Sequence, residues 1–255
     1  MLSAVIITFN EEKNIERCLT SLTGVVDEIV VVDSFSTDRT KEICLSFGAR
    51  FIEHKFEGHI QQKNWAKEQA THRFVLSLDA DEALDETLRK SILQIKTNPQ
   101  KHGYYLNRFT NYCGYWVKHC GWYPDRKLRL WDGSKGKWGG TNPHDRFMLD
   151  AGNKYAGYLK GNILHYSYYS VKEHFEKTEK FSTIAAQAYF DANRRTNLVS
   201  IKVRPFIRFI RSYFLKLGFL DGRYGIIICR MESRGVYLKY SKLYVLQQKF
   251  NKIEL

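Results

Sequence analysis

Apolar and polar positions along the first 100 residues fall into blocks whose period keeps switching. Residues 2–9, "LSAVIITF", are a continuous apolar run, the pattern of a strand buried on both faces. Residues 10–22, "NEEKNIERCLTSL", change to helical spacing and put Ile15, Cys18, Leu19 and Leu22 on one face. The alternation repeats. "DEIVVVDS" (27–34) predicts a second strand, and "STDRTKEICLSFG" (36–48) a helix capped by Ser36 or Thr37 and ended by Gly48. "RFIEHKF" (50–56), "HIQQKNWAKEQAT" (59–71) and "RFVLSLD" (73–79) predict a third strand, a helix and a fourth strand. Repeated βα units imply an α/β fold in which a parallel sheet carries helices on both faces. Ligands of such sheets bind at the carboxyl ends of the strands. Thr8, Phe9 and Asn10, Asp33 and Ser34, and Asp79 to Asp81 are therefore expected to converge on one crevice.

Behind the fourth strand, Asp79, Asp81, Glu82, Asp85 and Glu86 crowd into eight positions. Leu88, Ile92 and Ile95 recur at helical spacing, so a helix starts near Asp85, where carboxylates accept free backbone N–H groups and complement the dipole. Capping accounts for Asp85 and Glu86 but leaves Asp79 and Asp81. In an extended strand these two share one face. Carboxylates aimed at one point repel unless a cation lies between them. On these residues alone, a divalent cation site and an extended helix cap both stand.

Composition narrows the class. The 255 residues are 44% hydrophobic, enough for one large core or two unequal ones. No run of 18 apolar residues predicts a membrane-spanning helix, and "MLSAVIITFNEEKN" turns acidic too early for a signal peptide. Five cysteines lack CxxC or zinc spacing and are expected as reduced thiols of a cytosolic protein. The net charge of +13 is lopsided: residues 1–100 carry −4 and residues 101–255 carry +17. A basic half beside a mildly acidic one suggests two jobs, the basic one facing phosphate, a membrane surface or nucleic acid. Neither a GxGxxG turn nor a P-loop is present: the first βα turn is "TFNEEKN", and "GSKGKWGG" lacks the GKS or GKT ending. A nucleotide bound here must be gripped another way.

The ordered set "AVIITFNEEKNIERCLTSL", "DEIVVVDSFSTDRT", "QQKNWAKEQA" and "VLSLDADE" resembles the nucleotide-sugar domain of family 2 glycosyltransferases. Through "HCGWYPDRKLRLW", "PHD" and "GFLDGRYG" the likeness extends to the lipopolysaccharide-core enzymes of that family. The resemblance implies a GT-A fold over residues 1–168, with a mainly helical basic extension over 169–255. It also implies a divalent cation, Mn²⁺ or Mg²⁺, and inverting sugar transfer from a nucleotide diphosphate. Thr8, Asn10 and Glu11 then line the nucleotide end, and Asp33 with Ser34 faces base and ribose. Many relatives carry aspartate in place of Ser34 and glycine in place of Phe35. Lys63 would neutralise donor charge, and Asp79 with Asp81 matches the DXD motif. The chemistry agrees, because these cations take carboxylate and phosphate oxygens and stabilise a departing diphosphate.

Inverting transfer needs one base for the acceptor hydroxyl. In "TNPHDRF" the resemblance assigns it to Asp145, with His144 beside it and aspartate where relatives have glutamate. The bland alternative is an Asp145–Arg146 salt bridge or a cap; Asp125 is the second candidate for the base, though Pro-Asp pairs mark turns. By the same resemblance His165 is a further metal ligand, against a structural histidine. Trp122 and Tyr123 suit stacking on a sugar, and Arg126 or Arg129 pairing with a phosphate; a β-hairpin core uses the same aromatics.

In "VRPFIRFIRSYFLKLGFLDG", Arg204, Arg208 and Arg211 share a helical face amid bulky apolar residues. Such a helix lies on an anionic membrane, or packs on the catalytic domain or on another subunit of a homo-oligomer. The resulting expectation is transfer of a hexose, from UDP-glucose, to a lipopolysaccharide-core or other envelope glycan at the cytoplasmic face of the inner membrane. Two other classes compete. A sugar-phosphate nucleotidyltransferase needs a glycine-rich, arginine-bearing first loop, and a nucleic-acid-binding module needs stacking or groove-reading motifs. Neither signature is present, so no nucleic-acid partner is expected.

Overall fold

The computed structural model describes residues 1–141 and 144–253. The chain forms two compact units, the first from Met1–Phe109 with Pro124–Tyr166, the second from Thr110–Tyr123 with Ser167–Leu255.

In the first unit the predicted alternation is present as β1 (Leu2–Thr8), α1 (Ile15–Leu22), β2 (Glu28–Asp33), α2 (Thr40–Ser46), β3 (Arg50–Glu53), α3 (His59–Glu68) and β4 (Phe74–Asp79). A short β5 (Glu82–Leu84) and α4 (Glu86–Lys96) follow. The chain continues through β6 (Gly103–Tyr112), a two-residue β7 (Tyr115–Trp116) in the second unit, β8 (Asp125–Asp132), β9 (Gly136–Thr141), β10 (His144–Leu149) and β11 (Ala156–Tyr168). The sheet order is β3-β2-β1-β4-β8-β6-β11-β5, and β9 and β10 form a separate antiparallel ribbon.

β1 pairs in parallel with β2 and β4, and β2 in parallel with β3, which aligns the carboxyl ends of all four strands. β8 then runs antiparallel to β4. The strands are apolar because both faces are covered: Ile15, Cys18, Leu19 and Leu22 of α1 are all fully buried against Ala4, Ile6, Leu76 and Leu78. Burial of each such side chain contributes about 1.5–3 kcal/mol.

The capping of α2 differs from expectation. Ser36 donates its hydroxyl to Asp33 and accepts the Asn10 N–H, and the Thr37 N–H goes to Asn10. Asp38 instead accepts the Thr40 N–H at 3.0 Å. Ser36 and Thr37 are thus consumed in joining the β1 and β2 loops. Gly48, at φ +70°, does end the helix.

At α4 the expected cap is present: Asp85 accepts the Leu88 N–H at 2.7 Å. Its other oxygen takes the Asn162 backbone and side-chain N–H groups of β11, both at 2.9 Å. Gly161 precedes that contact at φ +97°, and a Cβ there would lie 2.2 Å from the Leu88 nitrogen.

The second unit is mainly helical, with α5 (Val171–Asp191), α6 (Leu198–Ile210) and α7 (Gly222–Ile253). Ser170 and Asn197 cap α5 and α6 through their side chains. Buried Asp221 ties the 110–123 segment to the start of α7, accepting from the His119 N–H at 2.8 Å, the Tyr115 hydroxyl at 3.0 Å and the Lys118 N–H at 3.3 Å. Among the described residues no helix is long and apolar enough to cross a membrane.

Candidate active site

Two loops at the strand ends are knitted together. Thr8 donates to Asp33 at 2.8 Å, and the Ser36 N–H donates to the second Asp33 oxygen at 2.6 Å. Asp33 is buried and its carboxylate is consumed within the loops, which it organises from inside. Asn10 sits at φ 54° and Phe35 at φ 62°; positive φ in non-glycine residues is uncommon and concentrates at functional loops. The Glu11 N–H donates to Thr40, and Ser34 accepts from Gln62 at 3.3 Å. Thr8, Asn10, Glu11, Asp33 and Ser34 therefore do form one rim.

Asp79 ends β4 beside them. Lys63 of α3 contacts one of its oxygens at 2.9 Å and Arg129 of β8 the other at 2.8 Å. Burial alone would raise this carboxyl, but Arg129 and Lys63 outweigh it and hold it well below the usual carboxylate range. Arg129 also pairs with buried Glu82 at 2.9 Å, and Glu82 accepts the Asp79 N–H at 2.9 Å. Burial would lower the Arg129 pKa, but Asp79 and Glu82 more than offset it and raise it. Arg129 Nη1, buried, has no hydrogen-bond partner among the described residues.

Sequence spacing put Asp79 and Asp81 on one face of a continuing strand. The strand stops at Asp79, and a turn at residues 80–81 separates it from β5. Asp81 consequently meets His165 of β11, its Oδ2 lying 3.2 Å from His165 Nε2. No group of three or more His, Cys, Asp or Glu side chains is arranged to hold a metal ion among the described residues. The Asp81–His165 pair nevertheless has the carboxylate and imidazole donors that Mn²⁺ accepts, at a separation close to the ~3 Å of neighbouring ligands in one coordination shell. Asp79, with both oxygens on cations, suits that role less.

Lys63 makes a second contact, to Asp145 Oδ2 of β10 at 2.9 Å. Asp145 thus pairs with Lys63, while Arg146 has no carboxylate partner among the described residues. The ammonium also lies 4.6 Å from the Trp138 ring centre. Lys63, Asp79, Arg129 and Asp145 line one cleft of about 640 Å³, together with Arg108, Arg126 and Arg146. The side chain of His144 lies outside the described residues. Asp125 pairs with Arg108 at 2.7 Å and Lys127 at 3.1 Å. Trp122 and Tyr123 belong to the second unit, where the Trp122 indole donates to Glu232 at 2.9 Å. Glu82 was counted in the acidic cluster but given no role, and Trp138, the tryptophan six residues before His144, was not named.

Parallel strands that end in a polar rim, with a carboxylate–lysine–carboxylate cleft beside them, make the GT-A arrangement of nucleotide-sugar glycosyltransferases. The chain belongs to glycosyl transferase family 2, whose model matches residues 3–148. It is similar to the lipopolysaccharide core biosynthesis glycosyltransferase LpsC of Rhizobium meliloti (strain 1021), at 28% identity over 94% of this chain and 93% of that one. The structure of S. aureus TarS residues 1–349 in complex with UDP aligns at 15% identity and a TM-score of 0.46, covering 97% of this chain and 91% of that one. Glucosyl-3-phosphoglycerate synthase from Mycobacterium tuberculosis, solved with Mn²⁺ and UDP-glucose, aligns at 22% identity and a TM-score of 0.37, covering 44% of each chain.

Proposed function

We propose that this glycosyltransferase inverts configuration while moving a hexose from UDP-glucose or a similar UDP-sugar to a lipopolysaccharide-core or related envelope glycan. The observation that carries the reading is that Lys63 contacts both Asp79 and Asp145 in one cleft. A cation for the donor phosphates and a base for the acceptor thereby share one site. Similarity to LpsC over nearly the whole chain supports the choice of acceptor class.

In this reading the rim from Thr8 to Ser34 holds the nucleoside. Lys63 and the unpartnered Arg129 Nη1 receive the diphosphate. Asp81 and His165 would hold a divalent cation, which supplies positive charge that favours departure of the diphosphate. The acceptor hydroxyl oxygen attacks the anomeric carbon as the bond from that carbon to the phosphate oxygen breaks. Asp145 takes the hydroxyl proton, and UDP leaves. Incubation with UDP-glucose and Mn²⁺ in the presence of core oligosaccharide should release UDP in step with glycan glucosylation; intact donor across a UDP-sugar panel would sink the reading.

We further read the second unit as the part that meets an anionic membrane, at the inner face of the cytoplasmic membrane. Arg204, Arg208 and Arg211 line one groove of that unit with Val203 and Ile207. Phe206 is 66% exposed and Leu215 74% exposed, apolar surface that lipid or another copy of the chain would cover.

A further inference from the structure

The cations of the cleft differ in how they are neutralised. Lys63 is shared by Asp79 and Asp145, and Arg129 by Asp79 and Glu82. Arg108 and Lys127 both pair with Asp125. Arg126 and Arg146 line the same cleft, and neither has a carboxylate partner among the described residues. Arg126 instead lies over the Tyr158 ring, 5.0 Å from its centre, and Tyr158 stacks on Tyr105 at 5.3 Å.

Two uncompensated guanidinium groups are matched to an oxyanion, which each can hold through paired N–H donors. Beside them the tyrosine pair offers an aromatic face of the kind that packs on a sugar ring. The donor diphosphate already has Lys63 and Arg129 at the Asp79 end of the cleft, so this second pair is surplus to it. Arg146 and Asp145 both belong to β10, and both line this cleft.

We propose that Arg126 and Arg146 form a subsite for an anionic group of the acceptor sugar, a phosphate ester or a carboxylate, so that the enzyme selects negatively charged acceptors. This rests on reading the cleft as the transfer site. The donor position and the acceptor position are separable by saturating one of them.

The test is calorimetric titration of glucose 6-phosphate, glucuronate and glucose into protein saturated with UDP and Mn²⁺. At least one anionic sugar should bind and glucose should not; which one binds separates a phosphate subsite from a carboxylate subsite. The Arg126→Gln/Arg146→Gln variant should weaken that binding at least tenfold and leave UDP affinity within twofold. Both side chains are exposed, and an unchanged circular dichroism spectrum and melting temperature would verify folding. Equal binding by the variant, equal binding of glucose, or no binding of either anion to wild type overturns the inference. A parallel loss of UDP affinity does so too, because it gives the arginines to the donor. Failure of wild type to bind UDP would instead defeat the donor reading, and the same titrations into the free protein would still judge the arginines.

Discussion

Lys63 Nζ lies 2.9 Å from Asp145 Oδ2, joining residues 82 positions apart. The same ammonium holds Asp79 at 2.9 Å. One cation therefore links the end of β4 to the ribbon that carries the proposed base, and in that proposal a phosphate that draws Lys63 away leaves an Asp145 oxygen free to accept a proton.

Asp145→Asn keeps the shape but cannot take that proton. Transfer should fall on the order of 10²–10⁴-fold, the range for loss of a general base, while UDP affinity changes little. Asp145→Glu should retain partial activity. Asp125→Asn is the comparison, since Asp125 is engaged by Arg108 and Lys127. Rates measured at saturating donor would move the base to Asp125 if the pattern were reversed.

Removing Arg129 takes a shared cation from two acids and leaves Asp79 with Lys63 and Glu82 with Arg108 at 3.8 Å. In Arg129→Met, buried Glu82 and Asp79 lose their shared guanidinium, and breaking a buried ion pair from one side costs about 3–5 kcal/mol. Urea unfolding should show that loss, and adding Glu82→Gln should recover part of it. An unchanged midpoint would mean that the pair is not buried as described.

The metal reading predicts that Mn²⁺, followed by its paramagnetic resonance, binds more tightly with UDP present, and that Asp81→Ala and His165→Ala abolish the increase. Chelation should weaken UDP binding by wild type but not by either variant. Metal-independent UDP binding in wild type would return Asp81 and His165 to a structural hydrogen bond.

His174 gives a pH signature to the second unit. Burial chiefly, with help from Lys177 and against Glu173, pushes its pKa down to about 4, and its Nδ1 lies 3.0 Å from the Tyr112 hydroxyl. The unfolded chain, with a histidine pKa of about 6.5, then binds the proton first as pH falls. The stabilising effect of a neutral His174 is complete above about pH 6.5 and is lost between there and about pH 4, with a slope approaching ~1.4 kcal/mol per pH unit. His174→Gln should flatten that slope in chemical denaturation series. A slope identical to wild type would assign the acid sensitivity elsewhere.

Membrane contact is read out by sedimentation with phosphatidylglycerol vesicles. Phe206→Ser with Leu215→Ser, or Arg211→Glu, should reduce it, and so should added salt. Arg204 donates to Tyr240 and Arg208 pairs with Glu232, so reversing either charge also perturbs packing and is less informative. No sedimentation of wild type would favour a partner protein or a second copy on this surface.

The four parallel strands and the inward face of α1 were legible because burial on both faces writes itself as continuous apolar runs and amphipathic spacing. The meeting of the strand-end loops was legible too, since parallel pairing aligns the carboxyl ends of β1, β2 and β4. The parting of Asp81 from Asp79 was not, because strand alternation holds only while the strand continues, and β4 stops two residues short of Asp81. The partners of Arg129 and Trp122 were hidden for a shared reason. Their partners, Asp79 and Glu82 for one and Glu232 for the other, are 47 to 110 positions away in the chain. Local sequence carries no trace of such pairings.

Gly161 carries no chemical group of its own, yet β11 places it four residues ahead of His165. The strand holds His165 opposite Glu82 in the ladder, and a slip of one residue would turn His165 to the other side of the sheet. A methyl group at position 161 would collide with the backbone of Leu88. Any side chain there would force the start of α4 to move. In a screen for inactive variants, this glycine would masquerade as a chemical residue while serving only as the gauge that sets a strand.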